Sequence, residues 1–115
     1  MKPILLALAA LVTVASPALS KTCQEIRFAA GAYSGIVSGA SRFDDYVCYG
    51  IGVSPGQTVQ IEILQGGNTA FSVPGVSDGQ ISMAFRATAG RYEIRVFQLF
   101  RSATDEAFRM QVTVR

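Results

Sequence analysis

Beyond residue 57 the chain alternates apolar and polar side chains with a period of two. Thr58 to Leu64 sets Val59, Ile61 and Ile63 against Thr58, Gln60 and Glu62, and Arg91 to Val96 sets Tyr92, Ile94 and Val96 against Arg91, Glu93 and Arg95. Phe108 to Arg115 repeats the pattern with Phe108, Met110, Val112 and Val114 on one side, and Ile81, Met83 and Phe85 share a face within Ile81 to Arg86. Alternation of this kind, with one polar face, marks antiparallel strands that cover a core. Less regular segments at Glu25 to Phe28, Tyr33 to Ser38, Tyr46 to Val53 and Thr69 to Val73 read as further strands. Turn formers stand between them: Ala30-Gly31, Ser54-Pro55-Gly56, Gly66-Gly67-Asn68, Pro74-Gly75, Asp78-Gly79 and Ala89-Gly90. The expected fold is all-β: a single antiparallel β-sandwich of about eight short strands, of jelly-roll type, with no linker or second domain.

Residues 1–20 stand outside this pattern. Lys2 gives a short positive start, Ile4 to Ala15 is an apolar run, and Ser16-Pro17 breaks it before Ala18-Leu19-Ser20. This is the layout of a secretory signal peptide, with small residues at the −3 and −1 positions for cleavage after Ser20. The run of about a dozen apolar residues is shorter than the roughly 20 that span a bilayer. A lipid-attachment motif would need small residues leading directly into Cys23, and Ser20-Lys21-Thr22 departs from that. The expected mature protein is residues 21–115, one exported domain, periplasmic or secreted, without membrane insertion.

Charge and chemistry narrow the function. With Lys2 removed, nine basic residues face eight acidic ones, a net of +1, and eight of the nine are arginine. A nucleic-acid partner would call for a clear basic excess, which this balance lacks. Two cysteines in an exported chain point to a disulfide between Cys23 and Cys48, closing a loop of about 25 residues and worth on the order of 3 kcal/mol. The chain contains no histidine, which removes Ser-His-Asp and Cys-His catalysis. Zinc would be left with two bonded cysteines and carboxylates. Glu62 and Glu93 read as outward strand positions. The neighbouring acids Asp44-Asp45 and Asp105-Glu106 point to opposite sides of an extended chain and make poor acid–base pairs. A loose calcium site from these acids is the remaining cofactor option; the expectation is a non-enzyme without cofactor or metal.

Three motifs, in order, carry a resemblance: Tyr33-Ser34-Gly35, then Tyr49-Gly50-Ile51-Gly52-Val53-Ser54-Pro55-Gly56-Gln57, then Ala89-Gly90-Arg91-Tyr92-Glu93-Ile94-Arg95-Val96. Over about Arg27 to Val114 the chain resembles the periplasmic inhibitors of goose-type (g-type) lysozyme, as a divergent member. That resemblance implies a lysozyme as partner and a loop pushed into its substrate cleft, where carboxylates favour an Arg or Tyr side chain. Tyr49, Gln57, Tyr92 and Arg95 match scaffold positions of the pattern.

Two loops depart from the family pattern. After Gln98, Phe100 stands where the family places Arg, Arg101 comes one residue late, and the basic end of the loop is replaced by Thr104-Asp105-Glu106. Gly39 to Asp45 is longer by about four residues, and the two cysteines are additional to the pattern. The expected partner contacts are Arg42, Asp45, Tyr46 and Arg101, with Phe43 beside them. Each also has a structural reading: Arg42 as a solvated charge, Phe43 and Tyr46 as cover for one sandwich end, Asp45 as a turn former. A second class of function stays open, a cell-envelope binding module whose partner is a glycan or another envelope protein. Within Arg42 to Val53, Tyr49, Ile51 and Val53 are expected to face the core and Cys48 the opposite side, leaving the acids in the approach to the strand.

Overall fold

Side chains that alternate along the sequence settle on opposite faces of a pleated strand, and the apolar half of each strand here is buried. The computed structural model describes residues 22–115, so the expected signal peptide at residues 1–20 lies outside the described residues. The strands are β1 (Gln24–Glu25), β2 (Ser34–Ser41), β3 (Val47–Gly52), β4 (Thr58–Gln65), β5 (Thr69–Val73), β6 (Ser77–Gln80), β7 (Ser82–Arg86), β8 (Arg91–Gln98) and β9 (Glu106–Val114). They form one sheet ordered β1-β3-β8-β5-β6 and another ordered β2-β9-β4-β7. Every pairing is antiparallel except β1 with β3, which is parallel. With β1 set aside, the orders 2-9-4-7 and 3-8-5-6 are compatible with a jelly roll.

Nine strands are present among the described residues where about eight were expected. β6, Ser-Asp-Gly-Gln, was expected as a turn at Asp78-Gly79; it is a sheet edge, pairing with β5 alone, and an edge strand with exposed side chains carries no apolar alternation to read. Ile81 does not share the buried face with Met83 and Phe85. It is 60% exposed and lies between β6 and β7, where the chain crosses from one sheet to the other.

The core lies between the two inner faces. Tyr49 and Ile51 of β3, Val59 and Ile61 of β4, Phe71 and Val73 of β5, Ile94 and Val96 of β8, and Phe108, Met110, Val112 and Val114 of β9 are all buried in one cluster. Tyr49 and Phe108 meet edge to face with centroids 6.4 Å apart. Gly39 leaves room for that pair: a Cβ there would stand 2.9 Å from the Tyr49 hydroxyl and 3.0 Å from the Phe108 ring. At the β7–β8 turn, the Tyr92 hydroxyl accepts backbone N–H bonds from Thr88 (2.8 Å) and Ala89 (3.1 Å), a local brace resembling the tyrosine corner of other sandwiches.

Cys48 points away from the core, as expected, and is bonded to Cys23 with the Cα atoms 4.5 Å apart. The outward positions of β3 are small, so the Arg91 guanidinium lies across Gly50 to pair with Glu25 of β1. The disulfide and this ion pair together hold β1 against β3.

Candidate functional site

The register places three connections at one end of the sandwich. Ser41 of β2 is opposite Glu106 of β9, Thr69 of β5 is opposite Gln98 of β8, and Val47 of β3 is opposite Val96. The β2–β3 loop (42–46), the β4–β5 turn (66–68) and the β8–β9 loop (99–105) therefore share a single tip. Gly39 to Ser41, expected as part of the first loop, belong to β2, because Gly39 and Ser41 face inward and pair with β9.

Beneath the tip is a buried polar base. The Ser41 and Thr69 hydroxyls are 2.7 Å apart, and Thr69 donates to the Glu106 carboxylate at 2.6 Å. The same carboxylate accepts the Asn68 N–H at 2.9 Å. Gln98, 2% exposed, receives nothing at its Oε1, but its Nε2 donates to the Ser41 carbonyl (3.0 Å) and the Thr104 carbonyl (2.9 Å). Its own N–H donates to the Arg42 carbonyl at 2.8 Å. One side chain thus ties the exit of β2 to the return of the β8–β9 loop. Glu106, expected as part of an acidic loop end, is instead the first residue of β9 and an internal acceptor.

Asn68 fixes the first half of the β8–β9 loop. Its amide Nδ2 donates to the Phe100 carbonyl (2.8 Å), its Oδ1 accepts the Phe100 N–H (2.9 Å), and its backbone carbonyl accepts the Leu99 N–H (2.9 Å). The next residue reaches across the tip: the Arg101 guanidinium lies 5.1 Å from the centre of the Phe43 ring. Arg42 stands between Asp44 (3.7 Å) and Asp105 (3.8 Å). The Arg42–Asp105 pair spans the two loops, and between them lies a small cleft of about 220 Å³ lined by residues 42–44 and 101–105.

The four expected contact residues divide between two places. Arg42 and Arg101 line the same cleft at the tip, whereas Asp45 and Tyr46 turn to the flank, where the Asp45 carboxylate accepts the Tyr46 N–H at 2.8 Å. Tyr46 lies under the Arg95 guanidinium, 4.8 Å from the ring centre, and Arg95 is bound by Glu93 at 2.5 Å. The hydrogen bond that Arg95 donates to the Glu93 carboxylate holds the Arg95 pKa above its ordinary value despite opposing desolvation. Glu93, expected as a solvated position, is thus half of an ion pair. Arg95, Phe97 and Ser72 floor a groove of about 520 Å³ between the 43–46 segment and the turn and strand at 74–78.

The acids do not converge on a calcium site: Asp44 and Asp105 flank Arg42, and Glu106 is turned inward. Among the described residues one cluster has three ligand-bearing side chains, Cys23, Cys48 and Glu93, and its two sulfurs are bonded to each other. Sequence reasoning missed Asn68, Gln98, Glu106 and Phe100 as makers of the tip. The displacement of Arg by Phe100 was a readable signal; the hydrogen-bonding roles of the other three depend on long-range pairing.

By its fold and its tip, this molecule belongs to the class of small β-sandwich proteins that present braced loops at one end. No family model matches the chain, and no curated protein matches it. Solved structures do. Aeromonas hydrophila PliG, described as a periplasmic lysozyme inhibitor of g-type lysozyme, is 25% identical with a TM-score of 0.69, over 82% of this chain and 96% of that one. Salmonella Typhimurium PliG, described likewise, is 21% identical with a TM-score of 0.67, over 84% of this chain and all of that one. A mutant of Escherichia coli PliG is 22% identical with a TM-score of 0.64. The chain resembles the g-type lysozyme inhibitors as a divergent relative.

Proposed function

We propose that this protein is an exported, non-catalytic inhibitor of a lysozyme, binding at the enzyme's substrate cleft through the tip formed by residues 42–46 and 99–105. The observation that carries the reading is a fold shared with the Aeromonas inhibitor over nearly all of that protein, ending in two loops braced against each other. Arginine suits such a role because its planar fork can bind a carboxylate with two parallel hydrogen bonds. In this reading Arg101 and Arg42 are the charged contacts, and Asp45 and Tyr46 form a flank. Residues 1–20 direct the chain to the periplasm or outside the cell and are removed. No nucleic acid, membrane or cofactor takes part.

The test is a cell-wall clearing assay in which the purified mature protein is titrated against goose-type, chicken-type and invertebrate-type lysozymes. Inhibition of at least one at stoichiometric ratio is expected; inhibition of none at micromolar excess overturns the reading. The flanking groove supports a second reading, an envelope-glycan module, because Phe43, Tyr46 and Phe97 line it beside Arg95 and Asp78. Retention on insoluble cell wall, lost on Phe97→Ala and with no lysozyme inhibited, would favour that second reading.

A further inference from the structure

Phe100 is the most exposed large hydrophobic residue among those described, at 74%. Exposed apolar residues are common singly, and on mobile loops they mean little. Phe100 differs because its backbone is fixed on both sides. The side-chain amide of Asn68 accepts its N–H and donates to its carbonyl, as a neighbouring strand would. The N–H of Asn68 is in turn held by Glu106, and the loop is closed at its base by Gln98. Three polar side chains are thus committed to the placement of one solvent-facing ring.

The tip that carries this ring also holds an apolar neighbour and a set of charged side chains. Leu99, 41% exposed, precedes Phe100 in the chain. Arg101, which follows it in the chain, is stacked on Phe43, and Arg42 lies with Asp44 and Asp105. An apolar centre with a polar, charged rim is how protein interfaces arrange their strongest contacts. Fixing a backbone before binding lowers the ordering entropy that association costs. A lipid surface, being fluid, needs no ring held in one position, whereas a concave protein pocket does.

We propose that Phe100 is the apolar anchor of the tip, entering a ring-sized hydrophobic pocket in the partner enzyme's cleft, with Arg101 and Arg42 as the charged rim. This rests on the inhibitor reading above. The partner it fits is a lysozyme whose cleft offers an apolar concavity beside its carboxylates. Asn68 is a positioning residue, acting through the backbone of Phe100.

The experiment is the clearing assay on the full mature protein with Phe100→Ala, Phe100→Leu, Arg101→Ala and Asn68→Ala, each first checked for an unchanged urea midpoint or a recorded shift. Against the lysozyme that the wild type inhibits, Phe100→Ala is expected to weaken inhibition by about 30-fold or more. Phe100→Leu should recover part of that loss, and Arg101→Ala should cost less than Phe100→Ala. Asn68→Ala should slow association with the mature fold retained. If the wild type inhibits while Phe100→Ala inhibits equally well, the anchor is overturned and the inhibitor reading stands. If the wild type inhibits none, both fall. Sedimentation with phosphatidylglycerol vesicles that depends on Phe100, with inhibition unchanged in the variant, would assign the ring to lipid and overturn the proposal.

Discussion

The Arg101 guanidinium stacks on the Phe43 ring at 5.1 Å from its centre, and the β8–β9 and β2–β3 loops meet through that contact. A cation over an exposed aromatic face contributes about 0.5–1 kcal/mol. A double-mutant cycle with Phe43→Leu and Arg101→Ala, read by urea unfolding, should return a coupling of about that size. Strictly additive variants would mean that the two loops act separately.

Glu106 accepts from both the Thr69 hydroxyl and the Asn68 N–H. Glu106→Ala leaves these donors without their acceptor in a partly buried site, and a loss of about 2–3 kcal/mol is expected. Glu106→Gln keeps an acceptor oxygen and should lose about 1 kcal/mol or less. Urea midpoints decide the matter, and equal loss in the two variants would show that charge, not acceptance, is what counts.

The Cys23–Cys48 bond spans 25 residues of sequence. Replacing both cysteines by serine should lower stability by about 3 kcal/mol. A thiol titration under non-reducing denaturation should find no free thiol, and two would remove the bridge.

Two glycines two residues apart on the outward side of β3 give opposite expectations. A Cβ on Gly50 would overlap the paired Arg91 and Glu25 side chains, whereas a Cβ on Gly52 meets nothing nearer than the Gly90 carbonyl at 4.0 Å. Gly50→Ala should cost about 1–3 kcal/mol by displacing that ion pair, with Gly52→Ala within about 0.5 kcal/mol of wild type. Thermal unfolding of the two variants side by side is the measurement.

Alkaline titration should separate two tyrosines. Hydrogen bonds from Thr88, side chain and backbone, and from Ala89 hold Tyr92 below the ordinary value, while burial pushes Tyr49 above it. The folded pKa of Tyr49 exceeds its unfolded value of about 10, so its contribution to stability is complete below that pH and is lost as pH rises through the folded value. Tyr92 has the opposite sign and gains as pH rises through its own lowered value. Absorbance at 295 nm across the alkaline range should lose a high-pH component in Tyr49→Phe and a low-pH one in Tyr92→Phe. A Tyr92→Phe profile that loses its latest component would reverse the assignment.

The strands were legible where burial and alternation coincide. In β9 all four expected inward residues are buried, because a strand at the middle of its sheet has a fully covered face. β6 was not legible, since Ser77–Gln80 is an edge strand of mostly exposed residues with no apolar alternation. At the tip, Arg42 and Arg101 were recognisable as exposed loop charges. The pairing of Glu106 with Asn68 and Thr69 was not, because an acid that follows another acid in a loop-like stretch gives no local sign of turning inward. That turn is decided by Ser41 coming opposite Glu106 in the β2–β9 ladder.

The staple at Cys23 and Cys48 also sets where the chain enters the domain. Thr22 lines a hollow with Arg42, Asp45 and Tyr46, beside the loop that carries the tip. Arg115 lies at the far end, bonded to Thr58 at the start of β4. Any linker, tag or tether attached ahead of Thr22 therefore emerges next to the candidate binding surface, and one attached after Arg115 points it outward. Immobilised by its amino end, the protein would shield that candidate surface.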